Sequence, residues 1–87
     1  MSWTIAFERQ AKRDLDKLDP QIRERVLRFL TERVAALDNP RSIGEALKGS
    51  ELWKYRVGDY RIMASIEDQR VQILIVRVGN RREVYRR

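Results

Sequence analysis

Apolar positions along the chain follow two periods, and the change between them divides the sequence in half. "WTIAF" (Trp3 to Phe7) alternates large apolar residues with smaller ones, which predicts a short strand. From Glu8 to about Leu18, Ala11, Leu15 and Leu18 recur at helical spacing among charges and predict an amphipathic helix. Asp19-Pro20 then pairs an N-cap residue with a first-turn proline. The helix that starts there carries Ile22, Val26, Phe29, Leu30, Val34 and Leu37 on one face, until Asn39-Pro40 stops it. The two helices form an antiparallel hairpin. "RSIGEALKGS" (Arg41 to Ser50) reads as a connection with room for one helical turn. Beyond it the pattern turns to β-branched and aromatic residues in "LWKYRV", "YRIMASI" and "RVQILIVRV". Gly58-Asp59 and Asp68-Gln69 fall where hairpin turns belong, and Gly79-Asn80 reads as the turn off the last strand. The order β-α-α-β-β-β predicts an α+β, two-layer domain, a mostly antiparallel sheet covered on one face by the helical hairpin.

Composition narrows the chemistry. Eighty-seven residues make one domain, 1–87, and 43% hydrophobic content supplies a single core. No cysteine is present, which excludes disulfides and thiolate metal sites. No signal-like segment or membrane-length apolar run is present, so a cytoplasmic location without membrane contact is expected. Lys and Arg number 19 against 13 acids, a formal +6 that favours a polyanionic partner, nucleic acid above all. Histidine is also absent, which removes the commonest general base and metal ligand together. The carboxylates lie scattered, without the cluster a magnesium-dependent nuclease needs. No metal or cofactor is expected, and any chemistry falls to Arg, Lys and Tyr.

Strand alternation then sorts the cations. Lys54 and Arg56 lie on one face of their strand, opposite Trp53, Tyr55 and Val57. Arg61 opposes Tyr60, Ile62 and Ala64 in the next strand, and in the last Ile73, Ile75 and Arg77 oppose Gln72, Leu74, Val76 and Val78. If Trp53, Tyr55, Ile62 and either Ile73 or Leu74 face the helices, then Lys54, Arg56 and Arg61 share the open face. Arg81 and Tyr85 follow the last strand within reach of it. Cations on an open face can serve only to discourage edge-to-edge aggregation. A convergent set of this size repels itself unless an anion joins it.

"LKGSELWKYRVGDYRI" followed by "ILIVRVGNRREVY" resembles the RelE/ParE toxin superfamily, and within it the RelE branch. The resemblance runs from the first strand and the "AKRDLDKL" helix to the closing tyrosine. It implies the toxin of a toxin–antitoxin pair: a metal-independent endoribonuclease that cuts mRNA in the ribosomal A site and is neutralised by a RelB-like antitoxin. Operator DNA is then contacted only through the antitoxin. Carried over by position, the catalytic residues are Lys54, Arg56, Arg61, Arg81 and Tyr85, with Lys48, Arg77, Arg82, Arg86 and Arg87 attracting RNA or the ribosome. Sister branches use a histidine and a glutamate, and this chain has no histidine. In the implied reaction a 2′-hydroxyl attacks the adjacent phosphate. Arg61 clamps that phosphate, Arg81 stands near the leaving oxygen, and the base is either Tyr85 or Lys54. The resemblance also admits a ParE-like inhibitor of DNA gyrase, and the basic composition fits a third function, a non-catalytic module that binds RNA or the ribosome.

Overall fold

The computed structural model describes residues 3–80. Strand β1 (Thr4–Phe7) leads into helix α1 (Arg9–Asp16) and helix α2 (Pro20–Arg28), which continues as a π-helical stretch, Phe29–Val34. A 3-10 turn (Pro40–Ile43) precedes the two-residue strand β2 (Glu45–Ala46) and strands β3 (Trp53–Val57), β4 (Tyr60–Glu67) and β5 (Gln72–Asn80). They form one sheet in the order β1-β5-β4-β3-β2. Only β1 against β5 is parallel. The architecture is the α+β one that the apolar periods imply.

Helix α2 starts as Asp19-Pro20 predicts: the Asp19 carboxylate accepts the Gln21 N–H at 2.9 Å, and Pro20 occupies the first turn. Its interior departs from expectation, because the α-ladder gives way to π bonding after Arg28, as in Ala35 N–H to Leu30 C=O at 2.9 Å. Where the ladder changes, the Thr31 hydroxyl donates to the Leu27 carbonyl at 3.0 Å. Val26, Leu30 and Val34 nevertheless stay buried. They pack with Ala11 and Leu15 of α1 against Tyr55, Val57, Ile62, Ala64, Ile73, Ile75 and Val78.

Three other expectations change. β2 is an added strand, pairing Glu45 with Lys54 and Ala46 with Trp53. Gly79 and Asn80 do not turn off the sheet; they remain in β5, opposite Arg61 and Tyr60. And β5 does not alternate throughout. Met63 pairs with Arg77 but Ala64 pairs with Ile75, so Val76 is an extra residue, a β-bulge. The bulge shifts the phase of the strand, which is why Val78 joins Ile73 and Ile75 in the core. The tight turn at Gly58-Asp59 is as expected, with Gly58 at φ +59, a value that suits glycine. The Asp68-Gln69 turn likewise joins β4 to β5 as a hairpin, through a 3-10 turn (Asp68–Arg70) closed by Val71 at φ +48, a strained position for a β-branched residue.

Candidate nucleic-acid interface

β3 and β4 position the central cations. Tyr55 and Val57 turn into the core, so Lys54 and Arg56 fall on the opposite, open face. The two-residue hairpin sets Arg56 directly across from Arg61. Like charges opposed in this way destabilise a sheet, so this pair is a cost to folding. Arg61 lies half-buried, with weak contacts from Nη1 to the carbonyls of Tyr60 at 3.3 Å and Gly58 at 3.5 Å. Arg56 is exposed. Lys54, Arg56 and Arg61 line a concavity of about 200 Å³ together with Ile43 and Glu45.

Glu45 was not legible in the sequence. It reaches the site through β2, and its Oε2 lies 3.2 Å from Lys54 Nζ. Strand alternation gives no signal for a two-residue strand. The one available cue was a carboxylate just past Gly44, where the chain can return beside β3. The concavity thus holds three cations against one carboxylate, with the exposed side chain of Ile43 at its rim. Three guanidinium and ammonium groups in one concavity have the charge and donor geometry that suit an anion such as a phosphate.

Arg77 lies elsewhere. Its Nε donates to Asp14 Oδ2 at 2.8 Å, and the same oxygen accepts the Val78 N–H at 2.9 Å. Gln10 donates to Asp14 Oδ1 at 3.1 Å. Burial pushes the Asp14 carboxyl up, but these hydrogen bonds and the charge of Arg77 outweigh it and hold the group below its ordinary value. Asp14 and Arg77 line a hollow of about 900 Å³ between the end of α1 and the end of β5. There they offset each other, so among the described residues that hollow gathers no convergent set of cations. Lys48 sits exposed on the turn after β2 and does not line the concavity. Arg81, Arg82, Tyr85, Arg86 and Arg87 lie outside the described residues.

Two contacts brace the concavity from behind. Tyr55, 1% exposed, donates its hydroxyl to the Pro40 carbonyl at 2.6 Å. Burial pushes its phenol up to about 12, so it is a structural donor and no base. Arg41 grips Asp68 with both terminal nitrogens, at 3.0 and 2.7 Å, and lies over the Trp53 ring at 5.7 Å. The hydrogen bonding of this pair raises the Arg41 pKa and lowers that of Asp68. Pro40 and Arg41 thereby fix the turn that presents Ile43 and Glu45. Among the described residues no group of carboxylates is placed to hold a metal ion, and no helix is long and apolar enough to cross a membrane.

Known proteins share this frame. The sequence model of the family described as the ParE toxin of the type II toxin–antitoxin system parDE matches residues 5–85. Toxin RelG of Mycobacterium tuberculosis is 33% identical over 89 aligned positions that span both chains completely. The toxin–antitoxin complex RelBE2 of Mycobacterium tuberculosis contains a chain that is 30% identical, with a TM-score of 0.85 and 93% of each chain covered. A mutant of the E. coli toxin RelE in its free state is 25% identical, with a TM-score of 0.75, covering 92% of this chain and 84% of that one. The chain belongs to the ParE toxin family of type II toxin–antitoxin systems, within the RelE/ParE superfamily.

Proposed function

We propose that this toxin is a ribosome-dependent endoribonuclease that cuts mRNA in the ribosomal A site, and that a RelB-like antitoxin restrains it. The observation that carries the reading is the Arg56–Arg61 cross-strand pair beside Lys54. Opposed cations on an open face cost stability, and a phosphate between them removes the cost. In the reaction the RNA 2′-oxygen bonds to the adjacent phosphorus and the bond to the 5′-oxygen breaks. The products are a 2′,3′-cyclic phosphate and a 5′-hydroxyl. Arg61 and Arg56 stabilise the charge that builds on the phosphorane, and Arg81 serves the departing oxygen. While Glu45 holds it, Lys54 acts as a charge stabiliser, which favours Tyr85 over Lys54 as base. Lys48, Arg82, Arg86 and Arg87 add general attraction to RNA, and Arg77 does so only where Asp14 leaves it exposed. A site without histidine depends on the ribosome to fix the geometry of the strand. The antitoxin partner is supported by the RelBE2 relative, whose solved structure is a toxin–antitoxin complex.

One observation favours a second reading, inhibition of DNA gyrase: the matching family carries the name of the ParE toxin. Induced expression followed by mapping of mRNA 5′ ends, with translation running and with initiation blocked, separates the two. The nuclease reading expects new ends inside codons only while ribosomes translate. Growth arrest with unchanged mRNA ends and lost supercoiling would establish the gyrase reading instead.

A further inference from the structure

The concavity on the open face has an apolar member that the phosphate chemistry leaves unused, Ile43. It is 41% exposed, and among the described residues no other large hydrophobic side chain is exposed. A lone exposed isoleucine is ordinary on a surface. This one is held at a fixed place. Asn39 caps its turn by accepting the Arg41 N–H at 3.1 Å, and the Ser42 hydroxyl donates to the Asn39 carbonyl at 2.8 Å. A Cβ at Gly44 would stand 3.0 Å from the Tyr55 ring, so the chain leaves the turn tight against the core. With the Tyr55–Pro40 and Arg41–Asp68 contacts, these bonds fix the backbone on both sides of Ile43. The antiparallel run of β2 sets Glu45 across from Lys54 and so brings Ile43 toward Arg56, on the flank away from Arg61.

Resting on the nuclease reading above, we propose that Ile43 is the wall against which a nucleobase of the bound strand packs, beside the phosphate held by Arg56 and Arg61. Strands lie about 4.8 Å apart, so a phosphate midway between the two arginines is roughly 7 Å from Ile43, within the span of one nucleotide. The Glu45 carboxylate in the same concavity repels a second phosphate, so an uncharged part of the nucleotide meets the isoleucine. The ring faces of the base are its apolar surface, and packing them on Ile43 removes both from water. Charge alone holds a phosphate without fixing how the strand runs past it. A base seated on Ile43 sets which flank of the arginines it occupies, and with that the direction of the strand.

The probe is a short fluorescent strand of 2′-deoxy sugars, which the proposed reaction cannot cut, titrated against the full-length toxin. Its counterpart keeps every phosphate but carries stable abasic sugars throughout. Ile43→Ser, checked for fold by circular dichroism, should weaken the intact strand about fivefold and leave the abasic strand within about twofold. Ile43→Leu should keep the native affinity for both. Lys54→Ala should weaken both strands by the same factor, as loss of a phosphate contact does. Equal losses on the two strands with Ile43→Ser, no loss on either, or no binding of the intact strand by the native toxin overturns the proposal. If the native toxin cut no mRNA while the binding pattern held, the nuclease reading would fail and the Ile43 contact would stand.

Discussion

Arg61 and Arg77 sit on neighbouring strands, share a side chain and meet opposite fates. Arg77 reaches a carboxylate that is 7% exposed and joins a bonded cluster with Gln10 and the Val78 amide. Arg61 faces another arginine across the hairpin, and the nearest carboxylate in its concavity is engaged with Lys54. One arginine ties a helix to the sheet. The other stands where folding alone would not have put it. Charge that is matched within the fold reads as architecture, and charge that the fold leaves opposed reads as a place for a missing anion.

The contrast can be broken from both sides. Arg61→Ala should cut mRNA cleavage by about 10²–10³-fold, as loss of a transition-state charge stabiliser does. Its urea midpoint should hold steady or rise, since an opposed pair is relieved. Asp14→Ala should do the reverse on stability, costing about 3 kcal/mol in urea unfolding by stranding Arg77 and the Val78 N–H. Acid sharpens this. Asp14 titrates below its ordinary 3.8 in the fold, so the unfolded chain binds the proton first. Its stabilisation is full above that value and disappears as pH falls through the lower folded value; Asp14→Asn should flatten that acid limb.

Smaller effects belong to the brace. Tyr55→Phe leaves the Pro40 carbonyl without its donor and should cost about 1–2 kcal/mol. Since burial pushes Tyr55 up to about 12 from 10.0, native stability should fall as pH climbs between those values, and the variant should lack that limb. Removing the exposed Arg41–Asp68 pair by Arg41→Ala should shift the midpoint least, with most of the difference vanishing in concentrated salt.

The sequence shows the frame more clearly than its details. Alternation alone sets Tyr55 against Lys54 and Arg56, because each face of a strand repeats every second residue. It fails at Val78, since a bulge adds a residue that no hydrophobic pattern marks. Helical spacing finds Val26, Leu30 and Val34 yet misses the π stretch, because one apolar face suits both α and π bonding over so short a segment. Gly79 and Asn80 look like a turn by composition but stay in the ladder opposite β4, where pairing overrides propensity. Glu45 escapes because β2 is too short to carry a period. The family resemblance alone supplies roles for Arg81 and Tyr85.

The central claim is that the open-face cations serve attack by an RNA 2′-oxygen on the ribosome. The most direct test uses ribosomes stalled on an mRNA with one 2′-deoxynucleotide at the position cut in its all-ribose twin, treated with purified toxin. The account predicts a 2′,3′-cyclic phosphate end on the all-ribose message and an intact deoxy message. Equal cutting of both, or of neither while translation stops, would contradict it.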